Sequence, residues 1–206
     1  MRDVVAETRA TYDQIARTYA EVNCGPLSGT LLALARELAR SVGEGAHIID
    51  VGCGPGRDVA WFETQNIRVT AIDLSRGMVE HATSVAEGPV LRMDMRQLAF
   101  CDGCFDGAWC AASLLHLPKR TAPAALREIS RVIRPGGSLM LTVKGGDGEG
   151  WAGGYVAGAT RFFSYYRPAE MAGMLVRAGF GVSDSGLWRS RRRREEWLSF
   201  HCSARE

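Results

Sequence analysis

The chain has little of what would tie it to a membrane, a metal or an oxidising compartment. None of its apolar runs approaches the ~20 residues a bilayer-crossing helix needs, which excludes a transmembrane span at the level of sequence. The opening Met1-Arg2-Asp3-Val4-Val5-Ala6-Glu7 carries acids where a secretory leader has an unbroken apolar core. Nothing in it directs export, and a cytoplasmic location is expected. Six cysteines are present, but Cys101 and Cys104 form a lone C-x-x-C with no second pair and no histidine at zinc spacing. A structural zinc site takes four ligands, so no metal is expected. Cys53, Cys110 and Cys202 lie in a glycine-rich turn, at an apolar strand end and in the last strand, which suits small buried thiols. No internal repeat and no linker divides the 206 residues, which read as one domain, 1–206, with a sizeable core.

A large excess of one charge is also missing, since 25 basic and 23 acidic residues leave a net charge of +2. Five of the positive charges are concentrated at Arg189, Arg191, Arg192, Arg193 and Arg194, and without them the rest of the chain is slightly acidic. An enzyme acting on nucleic acid spreads its basic surface more widely, and Glu195 and Glu196 partly offset this run. The run is open to three readings: a solvated hairpin loop, a site for an anionic substrate, or RNA contact.

What the chain does have is a buried-strand signature joined to a glycine-rich turn, Ile48-Ile49-Asp50-Val51-Gly52-Cys53-Gly54-Pro55-Gly56. The β-branched run suits a central parallel strand, and glycines at every second position let the turn fold tightly under a ligand. A second strand, Val69-Thr70-Ala71-Ile72-Asp73-Leu74, ends in an acid about 20 residues downstream, the spacing of a ribose-binding carboxylate. Together they point to an adenosine-containing ligand. The pattern is Asp-x-Gly-x-Gly-x-Gly rather than the dinucleotide G-x-G-x-x-G, and an acid beside the loop repels a pyrophosphate but suits an ammonium or sulfonium.

This loop resembles motif I of the class I S-adenosylmethionine-dependent methyltransferases. The resemblance continues through Asp73-Leu74-Ser75, Met93-Asp94-Met95, the stretch from Phe105-Asp106-Gly107-Ala108-Trp109 to Ala111-Ala112-Ser113-Leu114-Leu115-His116-Leu117-Pro118, and Arg134-Pro135-Gly136-Gly137-Ser138-Leu139. It covers roughly residues 8 to 205. The fold it implies is α/β: a Rossmann-like, doubly wound, seven-stranded, mostly parallel sheet with a C-terminal antiparallel hairpin and N-terminal cap helices.

The patterning agrees. Tyr12, Ile15, Ala16 and Tyr19 fall at helical spacing, as do Leu27, Leu31, Leu34 and Leu38, giving cap helices within 1–43. The core, 44–206, reads as strands near 47–52, 68–73, 89–93, 105–111 and 138–143 alternating with helices near 56–65, 76–85 and 121–134. Such alternation predicts a parallel sheet covered on both faces. Pro135-Gly136-Gly137 is expected to stop the last of these helices. The segment from Gly145 to Gly154 looks too glycine-rich for regular structure; it reads as an inert linker or, the favoured reading, as a lid insertion near 145–167. Pro168 opens a late helix, and strands near 181–188 and 196–203 complete the hairpin, with the arginine run at its tip.

The resemblance implies S-adenosylmethionine as cofactor, S-adenosylhomocysteine as its product, and site residues position by position. Backbone groups of Gly52, Cys53 and Gly54 would hold the methionine portion beside Asp50. Asp73 would accept the ribose hydroxyls, Asp94 the adenine amine with Met95 beside it, and Leu74 and Met78 would flank the ring. Ala111 and His116 would close the wall, and Tyr12 and Tyr19 would either cap the cofactor or pack in the core. His116, just past the fourth strand, is the candidate general base, or else a structural or cofactor-side residue. Trp151, Arg161 and Tyr165, with Tyr12, are the candidate acceptor contacts, since aromatic walls with a cation suit a flat or carboxylate-bearing molecule; the aromatics and arginines of 160–167 equally suit packing at a β-strand edge. The expected activity is methyl transfer to an oxygen or nitrogen of a small molecule. RNA modification and a non-catalytic cofactor-binding regulator are the alternatives, and no Asn-Pro-Pro-Tyr type tetrapeptide follows the fourth strand to suggest a nucleobase amine.

Overall fold

The computed structural model describes residues 3–23, 25–153, 158–189 and 195–205. Its elements run α1 (Val4–Asn23), α2 (Gly29–Val42), β1 (His47–Val51), α3 (Arg57–Glu63), β2 (Arg68–Asp73), α4 (Arg76–Thr83), β3 (Val90–Arg92) and β4 (Phe105–Ala111). A 3₁₀ turn at Leu114–His116 follows, then α5 (Ala122–Val132), β5 (Ile133–Lys144), β6 (Glu149–Gly153), β7 (Thr160–Ser164), α6 (Pro168–Arg177), β8 (Phe180–Arg189) and β9 (Glu196–Ala204). Seven strands form one sheet in the order β3-β2-β1-β4-β5-β9-β8. β1 to β5 are mutually parallel, while β9 runs antiparallel to β5 and β8 antiparallel to β9.

Burial on both faces explains the apolar strands. Ile48 and Ile49 are each 0% exposed and point to opposite sides because strand side chains alternate. Ile49 joins Leu126, Ile129 and Phe180 in one core, and Ile48 joins Leu38, Phe62 and Trp109 in the other. Burying one such side chain contributes roughly 1.5–3 kcal/mol, so a polar residue in mid-strand needs a reason. In β1 that residue is Asp50, 2% exposed.

The order of strands also locates the ligand end. The chain winds outward from β1 to β3, then returns to lay β4 beside β1. The carboxyl ends of β1 and β4 therefore flank a topological switch point, where open α/β sheets bind ligands.

Two expectations are corrected. Residues 149–153 are not irregular: β6 pairs antiparallel with β7, Trp151 opposite Phe162. The buried run Arg161–Ser164 packs against α1 and the 3₁₀ turn, and this tertiary support outweighs the glycines' low strand preference. α5 ends at Val132 and not at Pro135, because β5 already begins at Ile133, bridging to Phe105. Of the arginine run, Arg189 closes β8 and pairs with Glu196 at 2.7 Å, whereas residues 191–194 lie outside the described residues. No described helix is long and apolar enough to cross a membrane.

Candidate active site

The turn after β1 is shaped by what it must avoid. Gly52 has φ +80°, and a Cβ there would overlap Ser113 Cβ, so only glycine lets the β1 and β4 loops approach this closely. From the other side, Ala112 holds φ +56°, a left-handed conformation costing of order 1–3 kcal/mol for a residue with a Cβ. Its N–H donates to both the carbonyl and the hydroxyl of Thr142, which fixes the turn that presents Ser113. The Ser113 hydroxyl then donates to the Val51 carbonyl at 2.5 Å, tying the two loops together.

The loop's own donors are engaged. The N–H groups of Gly52 and Cys53 both reach the Ile72 carbonyl, at 2.8 and 3.0 Å, and Gly54 N–H donates to Asp73 Oδ2 at 3.0 Å. The loop therefore has carbonyl oxygen rather than N–H to offer a ligand. That suits an ammonium better than a pyrophosphate.

Four carboxylates line the cavity above it: Asp50, Asp58, Asp73 and Asp94. Asp50 is 2% exposed and its Oδ2 has no hydrogen-bond partner. Burial, and then the neighbouring Asp58 and Asp73, hold its carboxyl well above the usual range. Asp58, in the first turn of α3, accepts from Arg57 at 2.6 Å and from the buried Trp109 indole at 2.9 Å. Asp73 accepts from the N–H groups of Gly54 and Ser75; burial pushes it up to about 6 against those bonds. Asp94 is gripped by its neighbour Arg96, whose fork and backbone N–H reach both oxygens. Burial pushes Asp94 up, but the arginine outweighs it and holds the carboxyl below its ordinary value. A cavity this acidic, with one buried carboxylate oxygen left unmet, is complementary to a cationic ligand.

α1 forms the opposite wall through Val5, Thr8, Arg9, Tyr12 and Tyr19. Asp13 accepts from the Ser75 hydroxyl at 2.6 Å and from Gly77 N–H at 3.2 Å, fastening α1 to the start of α4. Thr8 accepts from Phe162 N–H, fastening it to β7. Between these, Tyr12 Oη lies 2.7 Å from His116 Nε2, and His116 Nδ1 lies 2.8 Å from the Phe162 carbonyl. A carbonyl only accepts, so Nδ1 carries the hydrogen and Nε2 accepts from Tyr12. Burial, reinforced by the charges of Arg161 and Lys144 and opposed by the Phe162 carbonyl, pushes His116 down to about 3. His116 is therefore neutral at physiological pH with its lone pair covered, and does not meet the cavity as an open base.

All the residues expected to contact the cofactor stand on the cavity wall, from Tyr19 and Asp50 through the glycine loop to Asp73, Leu74, Met78, Asp94, Met95, Ala111 and His116. Of the expected acceptor contacts only Tyr12 does. Arg161 is 5% exposed and stands behind Tyr12, donating to its oxygen at 2.8 Å. Trp151 is 39% exposed, edge-on to Phe162, and Tyr165 packs near Lys144. Sequence reasoning missed Arg57 and Asp58, although an acid in the first turn after a glycine loop was a visible signal. It also missed Arg9, whose Nε is buried without a hydrogen bond; nothing local in the sequence marks it. Among the described residues no cluster of His, Cys, Asp or Glu is disposed to hold a metal.

Comparison with known proteins places this geometry. Residues 49–141 match the family described as methyltransferase domain. The chain is 32% identical over 165 residues to O-methyltransferase resE of Aspergillus sclerotiorum, the match covering 68% of this chain and 62% of that protein. It is 31% identical over 176 residues to the ubiquinone biosynthesis O-methyltransferase of Xanthomonas axonopodis pv. citri (strain 306), covering 75% and 73%. Among solved structures, Burkholderia thailandensis 1,6-didemethyltoxoflavin-N1-methyltransferase, with bound 1,6-didemethyltoxoflavin and S-adenosylhomocysteine, superposes with a TM-score of 0.80 at 23% identity. That superposition spans 98% of this chain and 88% of that one, and establishes a shared fold.

Proposed function

The chain belongs to the class I S-adenosylmethionine-dependent methyltransferases, and on that premise we propose that it methylates an oxygen of a small-molecule acceptor bound between the cofactor and the inner face of α1. The observation that carries this reading is the unmet carboxylate oxygen of Asp50, buried beside a loop that offers carbonyls. S-adenosylmethionine supplies, when bound, an ammonium to satisfy that oxygen and a methyl group on a sulfonium. The residues fit such a ligand. Asp50 and the loop carbonyls receive the ammonium, Asp73 receives ribose hydroxyls on lone pairs beyond those taken by Gly54 and Ser75, and Leu74 and Met78 flank the base. Asp94 is committed to Arg96, so its share of the adenine amine is a bifurcated contact at most. α1, pinned at Thr8 and Asp13, excludes water from the reacting end, and alignment under that cover is the main catalytic device.

The choice of oxygen rests on the relatives named O-methyltransferases, with nitrogen as the second possibility because the toxoflavin enzyme acts at N1. Mass spectrometry of the denatured protein should reveal copurified S-adenosylmethionine or S-adenosylhomocysteine. Transfer of labelled methyl to a panel of hydroxylated and amino acceptors then tests catalysis. Cofactor binding without transfer to any acceptor class would leave a binding protein instead.

A further inference from the structure

Resting on that reading, we propose that Tyr12 is the side chain that meets the acceptor's nucleophile, and that Arg161 and His116 act through it, as positioning residue and as terminal proton acceptor. The inference starts from hydrogen-bond direction. The Phe162 carbonyl takes the His116 Nδ1 hydrogen, His116 Nε2 takes the Tyr12 hydrogen, and the Arg161 guanidinium donates to the Tyr12 oxygen. Each bond fixes the next, because a carbonyl cannot donate and a guanidinium cannot accept. With its hydrogen turned to His116, Tyr12 offers a group in the cavity acceptor and not donor character. A hydroxyl or an N–H that carries its own hydrogen is recognised there, whereas a carboxylate or an enolate is repelled. The acceptor class is therefore a protonated nucleophile, a neutral hydroxyl first of all.

The same chain gives the departing proton a route. As the acceptor O–H bond breaks, its proton passes to Tyr12 Oη and the Tyr12 proton passes to His116 Nε2. The oxygen's electron pair forms the new bond to the methyl carbon, and the pair of the broken C–S bond stays on sulfur. His116 faces Tyr12, Arg161 and Lys144, and burial, reinforced by the two cations, makes it a poor base. A methylated oxygen still bearing its proton is a far stronger acid than even this imidazolium, so transfer runs downhill once the methyl has moved. Arg161 is held in place by the rings of Tyr12 and Phe163, each 5.2 Å from its guanidinium carbon.

The test uses the full chain labelled with ¹⁵N-histidine and saturated with S-adenosylhomocysteine, followed by NMR from pH 5 to 8, with phenol as the hydroxyl probe. His116 should appear as the neutral Nδ1–H tautomer across the range, and phenol should shift its Nε2 resonance. In Tyr12→Phe that shift should vanish while the tautomer persists. Should Tyr12→Phe fail to fold, Arg161→Met must weaken the phenol response. An Nε2–H tautomer, protonation of His116 within the range, no response to phenol, or an equal response in Tyr12→Phe overturns the proposal. Failure to bind S-adenosylhomocysteine at all would instead overturn the methyltransferase reading, because the tautomer is still readable in the cofactor-free protein.

Discussion

Asp50→Asn is expected to stabilise the cofactor-free protein and to cripple cofactor binding. The change is isosteric, so packing around β1 is kept. In the native protein a carboxylate 2% exposed, with one oxygen unmet, faces Asp58 and Asp73. An unmet buried acceptor costs about 1–3 kcal/mol, and more when charged. For a chain of this length 1 kcal/mol moves Tm by roughly 2–4 °C, so the substitution should raise Tm near pH 8 by on the order of 5 °C. The pH dependence follows from the sign of the shift. A carboxyl whose folded pKa exceeds its unfolded value adds stability below the unfolded value and loses it as pH rises through the folded one. The advantage of the amide should therefore fade as pH falls toward the ordinary carboxyl value of 3.8 and vanish below it, where the native carboxyl is protonated in both states. Affinity moves the other way, since hydrogen bonds to charged groups contribute roughly 1.5–3 kcal/mol, or about tenfold to a hundredfold. Thermal melts at several pH values and calorimetry with S-adenosylmethionine measure both. A Tm gain independent of pH, or unchanged affinity in a folded variant, would refute the reasoning.

Gly52→Ala should cost several degrees of Tm and most cofactor affinity, because the new methyl overlaps Ser113, whereas Gly54→Ala, with φ +55° and open space around it, should cost only about 1–2 kcal/mol for its backbone. Equal losses in thermal melts would show that the loop contact does not matter. Affinity for S-adenosylhomocysteine should rise about tenfold between pH 5 and 7 as Asp73, pushed up to about 6, ionises to receive the ribose hydroxyls. Calorimetry across that range, with Asp73→Ala as the control that loses both affinity and slope, checks this. Turnover at saturating S-adenosylmethionine, where the affinity change at Asp73 no longer limits the rate, should show no imidazole inflection between pH 5 and 8, since His116 sits near 3, and a saturated rate rising through pH 6.5 would contradict its buried, neutral state.

The parallel core was legible because both faces of its strands are buried. Ile48-Ile49 and Ala71-Ile72 have no solvent side, so their composition alone signals a central strand, and the glycine loop and Asp73 follow at fixed distance. The β6-β7 hairpin was not legible. Its order comes from partners far along the chain, with Phe162 N–H bonded to Thr8 across 154 residues, and local glycine content pointed the other way. Trp109 reads as core filler, and only the fold brings its indole to Asp58 across 51 residues. For Arg161 the segment was noticed but the direction of its side chain was not available, since aromatic and arginine composition does not say which side chain faces a ligand and which stands behind.

Helix α1 shows why the remainder resists a sequence reading. Its spacing of Thr8, Tyr12 and Tyr19 fits a packed core helix and a cap over a ligand equally well, because both require one apolar face. What separates them is polar contact: Thr8 to β7, Tyr12 to the 3₁₀ turn, Asp13 to the start of α4. These three elements belong to different parts of the site. α4 follows β2, the strand proposed to bind the ribose, while the 3₁₀ turn and β7 flank the proposed place of the acceptor. One helix therefore joins both halves, and displacing it to admit a ligand would break the Tyr12–His116 bond together with the Asp13 bonds. In the proposed mechanism, cofactor enclosure and the assembly of the proton route are thereby coupled through a single helix, a dependence that lives in hydrogen-bond direction and not in residue type.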